Sequence, residues 1–365
     1  MMTLSTDSPV RVFSEFQPLE EVVVGRAYAP EAFDLVEDPE LRSMLQRIMR
    51  ETEEDNQALA ALFEKHDVKV RRPELIFDLM EEKNGAGQFK TMDLGTWKCQ
   101  NPNPPVWPRD LTVTYGDKIL STYSRAMSRW CEGQSFYSLF YEYARRGADW
   151  RSMPPPLLSG KRKTYAAYEG DSILFHAANI LRCGKDIFHT LPGGEAEGGK
   201  GTRAGIDWIR RQLGPDVRFN AVQKHGHLDG KLALIRPGLL MSWLPKDQLP
   251  EKLRSWDMIQ LHTQGKMPED FLRLRGQRYY KEFIKGWLTE WIGYVDETYF
   301  DVNVTSLNES QVILNGRNDW LIGELEKRGV EGIPFDFRHR YFWDGGLHCI
   351  TLDVRRSGDC EDYFS

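Results

Sequence analysis

The stretch LTVTYGDKIL, residues 111–120, sets two runs of apolar and β-branched residues on either side of a Gly-Asp pair. That pattern around a glycine predicts a β-hairpin. The same design returns as ILFHAANILRCGKDIF (173–188), LALIRPGLLMSW (232–243) and VNVTSLNESQVILN (302–315). The hairpins are unevenly spaced, so the repeat they suggest is structural rather than one of sequence. LEEVVVGRA (19–27) and LHCITLDVRR (347–356) read as two halves of a fifth unit.

Helical spacing fills the intervals. Apolar residues three and four apart predict a helix within 38–68, with Asp38 and Pro39 as its start signal. Shorter helices ended by glycine are expected within 201–216 and 318–332. Gly- and Pro-rich connections at 93–109 and 191–203 have the length of lids or binding loops. No low-complexity linker divides the chain. The expected fold is α/β: a single domain over residues 1–365, built from about five ββα-type units closed around an axis. A doubly wound sheet is disfavoured, because GGEAEGG (193–199) does not open a helix directly after a strand.

Composition narrows the function. The 365 residues are 41% hydrophobic and 28% charged, with a net charge of -6. No polybasic face or acidic tail stands out, so nucleic acid is not an expected partner. No apolar run approaches membrane-spanning length, and the N-terminus lacks the apolar core of a signal peptide. Cysteines at 99, 131, 183, 349 and 360 form no CxxC pair. Their odd number and wide spacing favour reduced thiols, no structural metal and a cytoplasmic location.

Reactive groups concentrate in WPRD (107–110), FHAAN (175–179), HGHLDG (225–230) and GGLHC (345–349), each at the edge of an expected hairpin. Cys349 follows a Gly-Gly pair that allows close backbone approach, which suits a nucleophile. A free cysteine is among the most buried residue types, however, and more often simply packs as a small hydrophobe. His227 has the chemistry to take a thiol proton and deliver it to a leaving amine, or it is simply a loop imidazole. Asp229 shares a strand face with His227. Asp110 either pairs with Arg109, caps the start of its strand or, with Asp229, offers two carboxylates to a fork-shaped cation such as a guanidinium.

Together these motifs resemble the amidinotransferase family, which includes glycine and inosamine-phosphate amidinotransferases. The matching residues are PRD at 108–110, F-x-A-A-N-x-x-R-x-G-x-D-I-F at 175–188, H-x-D at 227–229 and G-G-x-H-C-x-T-x-D-x-R-R at 345–356. The resemblance implies a pentein fold, five ββαβ units around a pseudo-fivefold axis. It also implies ping-pong transfer of the amidino group of L-arginine to an amine, without metal or cofactor. Cys349 would be the nucleophile and His227 the acid and base. Asp110 and Asp229 would hold the guanidinium, with Asn179 also at the substrate. Small-molecule substrates are the expected partners, with no membrane; of oligomeric states, a homodimer is the one allowed for.

Two departures stand out. The family places an acid where this chain has His176, so the expected catalytic set is Cys349, His227 and His176, with Glu169 and Asp171 as nearby acids able to compensate. Glycine amidinotransferase has a serine pair where this chain has Asp296 and Glu297, while Lys246 stands where an arginine helps hold a carboxylate. The acidic pair argues against glycine as acceptor and towards a substrate with a cationic end, in specialised toxin or antibiotic biosynthesis. A guanidine-modifying hydrolase and a non-catalytic arginine-binding protein are the alternatives.

Overall fold

The computed structural model describes residues 8–76, 78–93, 98–100, 102–126, 129–156, 172–193, 200–262, 269–277 and 299–365. Each expected hairpin forms, with strands Thr112–Tyr115 and Lys118–Ser121, Ile180–Cys183 and Asp186–Thr190, Leu232–Arg236 and Leu239–Ser242, and Thr305–Asn308 and Gln311–Asn315. The fifth is made from the two distant halves: Thr351–Arg356 runs antiparallel to Leu19–Val24.

Every pair then takes a third, parallel strand: Lys69–Arg71, Asp149–Ser152, Arg218–Val222, Asp257–Gln260 or Glu331–Phe335. The described residues thus hold five three-stranded sheets of one topology, and no closed barrel. A parallel partner needs a crossover, and in each unit a helix supplies it. The longest, Pro39–Lys65, starts as its sequence dictates, with Pro39 in the first turn and Asp38 Oδ1 accepting the Leu41 amide at 2.7 Å. Its inner face buries Leu41, Leu45, Ile48, Met49, Leu59 and Phe63. Helices Arg203–Leu213 and Asp319–Glu326 fall inside their expected ranges, the first capped by the Thr202 hydroxyl and followed by Gly214 at positive φ.

The sequence pattern misjudged three places. Residues 173–179 were expected in a strand, but Ala177–Asn179 form a tight turn ahead of Ile180. The connection at 93–109 contributes to a short ladder, Thr91–Asp93 against Lys98–Gln100. Cys183, Cys349 and Cys360 are free thiols, but Cys131 is disulfide-bonded. Wide sequence spacing says nothing about separation in space, which is what permits a bridge.

Between the sheets lies a buried ionic cluster. Arg182 grips both Glu15 oxygens at 2.8 Å and reaches Asp353 Oδ2 at 2.9 Å. Asp353 also accepts from Arg109 at 2.6 Å and Arg356 at 2.7 Å. Arg109 further donates to the carbonyls of His348 and Thr351, at 2.9 and 3.0 Å. Buried charges are tolerated when paired and hydrogen-bonded in this way. Through Arg109 the cluster fixes the turn that carries Cys349.

Candidate active site

One position recurs in all five units: the few residues before the strand that opens each hairpin. Asp110 stands two residues before Thr112, His176 four before Ile180, Asp229 three before Leu232, Asn303 two before Thr305 and Cys349 two before Thr351. Equivalent sheets thereby deliver Asp229, Asn303 and Cys349 to one place. A cavity of about 500 Å³ opens there, with Cys349, His227, Asp229, Asn303, Gly345 and Gly346 among its walls and Lys200, His225 and Lys231 adding cationic or ionisable groups. Asp110 and His176 are not among those walls.

Cys349 is 5% exposed. Its Sγ lies 3.4 Å from Asp229 Oδ2 and accepts from Asn303 Nδ2 at 3.1 Å. Asn303 Oδ1 in turn accepts the backbone amides of His348 and Cys349, at 3.1 and 3.2 Å. The Gly-Gly pair makes room for this: a Cβ on Gly346 would sit 2.7 Å from Asn303 Oδ1, and one on Gly345 2.8 Å from Trp107 Nε1. Burial pushes the thiol well above its ordinary pKa, and the nearby carboxylates of Asp229 and Asp110 push the same way. Without a cation beside it, Cys349 is a thiol.

Asp229 holds His348 Nδ1 at 2.8 Å, and the other side of that ring faces Glu15 at 3.2 Å. Burial raises the Asp229 carboxyl, but the hydrogen bond and charge of His348, with His227 and Arg109, outweigh it, and the group stays below its usual range. Asp229 Oδ1 is buried and has no hydrogen-bond partner.

Asp110, 1% exposed, pairs not with Arg109 but with Arg129, whose Nη1 donates to Oδ2 at 2.8 Å. Glu132 holds the same guanidinium on two oxygens, at 2.8 and 2.9 Å. Asp110 Oδ1 is left buried without a partner. Two carboxylates with an unsatisfied oxygen each are an anionic cradle, since unpaired buried acceptors are costly until a donor arrives.

His227 meets an imidazole where an acid was expected. His176 Nδ1 lies 2.9 Å from His227 Nε2, and His176 Nε2 lies 2.8 Å from Ser124 Oγ. Burial holds His176 well below the ordinary imidazole range, helped by the charge of His227, Arg129 and Lys200. Burial lowers His227 as well, against the opposing pull of Asp110 and Asp229.

The remaining expected residues fare differently. Asn179 is buried at the end of its turn and donates to the Lys200 carbonyl at 3.1 Å, with its Oδ1 unpartnered. Lys246 is exposed on a short helical turn and is not among the cavity walls. Asp296, Glu297, Glu169 and Asp171 lie outside the described residues. Asn303, Ser124, Arg129 and His348 were not anticipated. Asn303 had a usable signal, since it precedes the fourth hairpin as Cys349 precedes the fifth.

No protein-family model matches the chain. Comparison with individual proteins is more informative. Inosamine-phosphate amidinotransferase 1 of Streptomyces griseus is 27% identical over 382 residues, covering 96% of this chain and 98% of its own. L-arginine:L-lysine amidinotransferase of Pseudomonas savastanoi pv. phaseolicola is 26% identical, over 100% of this chain and 99% of its own. The solved structure of the S. griseus inosamine-phosphate enzyme superposes with a TM-score of 0.74, covering 98% of this chain and all of that one. A dimethylarginine dimethylaminohydrolase, at 13% identity and a TM-score of 0.55, shares the fold alone, over 92% of this chain and 99% of its own. The class is therefore that of the pentein fold. Within it, the chain resembles the amidinotransferases from end to end.

Proposed function

We propose that the protein is an amidinotransferase that takes the amidino group from L-arginine and passes it to an amine other than glycine. The observation that carries this is Cys349 Sγ 3.4 Å from Asp229 Oδ2, in a cavity that His227 also lines. Relatives named for an inosamine phosphate and for lysine support an acceptor of that wider kind. The five like sheets support an arrangement around a pseudo-fivefold axis, as one domain over residues 1–365. Among the described residues, the free thiols of Cys183, Cys349 and Cys360 favour a cytoplasmic setting, against the disulfide at Cys131. A homodimer, and a place in specialised toxin or antibiotic biosynthesis, complete the proposal.

In this scheme the arginine guanidinium settles between Asp110 and Asp229, whose unsatisfied oxygens receive its N–H groups. The arriving cation favours the thiolate that burial had disfavoured. Cys349 attacks the guanidino carbon, and its proton passes by way of His227 to the departing nitrogen. The carbon–nitrogen bond breaks, leaving an S-amidino cation on Cys349 and ornithine. The acceptor amine then attacks that carbon, the carbon–sulfur bond breaks, and the acceptor's proton returns through His227 to the thiol. An imidazole of lowered pKa is a poor store for a proton but a ready donor. His176 engages His227 Nε2 and leaves Nδ1 for the transfer. Asn179, Lys246, Asp296 and Glu297 are proposed as outer substrate contacts.

The test is incubation with L-arginine and a panel of amines. Ornithine release, together with the mass of one amidino group on Cys349, is the expected result. Neither appearing would overturn the proposal. Citrulline or urea-type products from arginine alone would replace it with a hydrolase, and arginine binding that survives Cys349→Ala without any turnover would point to a non-catalytic binder.

A further inference from the structure

We propose that His176, His227 and Asp110 form a binding site for one divalent transition-metal ion of the zinc or cobalt kind. His227 and Asp110 also serve the transfer proposed above, so a bound ion would compete with arginine there, although the metal-binding geometry does not rest on that reading. Its three donor atoms, one from each side chain, all lie within 4.8 Å of one another.

The geometry points to this because two ring nitrogens face each other directly. His176 Nδ1 and His227 Nε2 stand 2.9 Å apart, so a single hydrogen lies between them. An ion entering there displaces that hydrogen to the far nitrogen of its own ring. If the ring is His176, Ser124 Oγ at 2.8 Å accepts it. No proton is lost, both imidazoles stay neutral, and both facing lone pairs reach the metal. Ser124 thereby takes the orienting place that a second partner holds behind most ligating histidines.

The spacing suits such an ion. Zinc–nitrogen bonds of about 2.0–2.1 Å set two ligand nitrogens about 3.0–3.4 Å apart, so the pair opens by a few tenths of an ångström. Asp110 supplies the oxygen. Its Oδ2 is engaged by Arg129, but Oδ1 is buried and has no hydrogen-bond partner. A cation relieves that unmet acceptor. His227 is half-buried and lines the cavity, which leaves a fourth position for water or a ligand. Arg129 nearby works against a cation, and Asp229 works for it. An acid at position 176 would remove one of the two nitrogens that select a borderline ion over magnesium or calcium.

Cobalt(II) titrated into the full-length protein, followed by its ligand-field absorption and then by displacement with zinc, tests the site without any turnover. One ion per chain is expected. His176→Gln should weaken binding at least about tenfold, and Cys349→Ser should leave it unchanged. Should His176→Gln fail to fold, Asp110→Asn is expected to weaken binding by a similar factor. Absence of the bands, binding untouched by both His176→Gln and Asp110→Asn, or bands lost in Cys349→Ser would each overturn the proposal. The second outcome would mean a different site, such as one at His225 on the cavity wall, and the third a thiolate site.

Discussion

Two histidines, His348 buried and His227 half-buried, flank the nucleophile region and are provided for in opposite ways. His348 sits between two carboxylates, Asp229 and Glu15, and Glu15 is itself locked to Arg182. His227 meets another imidazole, which in turn meets a hydroxyl. The first arrangement is built to hold charge in a fixed place. The second is built to stay neutral: burial opposes a proton on either ring, and at His176 the charge of His227 adds to it, while Asp110 and Asp229 pull His227 the other way without prevailing. Fixed negative charge and a mobile proton have thus been given to different corners of one cavity.

Substitutions can separate the two corners. Cys349→Ser should have the largest effect, a loss of about a thousandfold or more in kcat, read by ornithine release. Residual turnover near wild type would move the chemistry away from the thiol. Asp229→Asn should lower kcat/KM for arginine by roughly a hundredfold. It should also make the free thiol more reactive, because Asp229 is one of the charges holding the thiol pKa up. In the wild type, alkylation of Cys349 by iodoacetamide should be slow at pH 7 and still rising beyond pH 9, and in the variant that rise should shift to lower pH.

His348→Gln breaks the carboxylate-held corner more gently. About a tenfold rise in KM with a smaller change in kcat is expected, since its work is to position Asp229. An equal fall in kcat would instead give His348 a part in the chemical step. The smallest change is expected from His176→Asp, with kcat kept or raised by up to about tenfold. A carboxylate beside His227 attracts the proton that an imidazole repels, so the limb of the pH–rate profile belonging to His227 should move to higher pH. A large loss would show that His176 has a required role of its own, and a limb that stays in place would remove His227 from that step.

Much of this was legible in the residues, for identifiable reasons. Hairpins declare themselves through turn chemistry between apolar runs, and all four did so. Even the fifth could be inferred from its halves at 19–27 and 347–356. The parallel third strands were silent. Lys69–Arg71 is three residues long and partly exposed, and Glu331–Phe335 contains a proline. The helix Tyr137–Arg145 escaped notice because its aromatic residues carry little helix propensity and its burial comes from packing. In the site, motif residues were visible and Asn303 had its place before a hairpin, but Ser124 and Arg129 act through tertiary contacts that no local pattern announces. Lys246 illustrates the converse, a motif position that lies outside the cavity walls.

The pairing of Leu19–Val24 with Thr351–Arg356 has a consequence for how the protein comes to be active. These partners are roughly 330 residues apart in the chain, and contacts of such separation carry the greatest loop-closure cost. The turn bearing Cys349 leads straight into the closing strand. Its position also depends on Asn303, and on Arg109 through the neighbouring carbonyls. The surroundings of the reactive thiol are therefore completed by one of the costliest contacts in the chain to close. A chain whose other four sheets have formed but whose fifth has not would carry the cysteine without its surroundings.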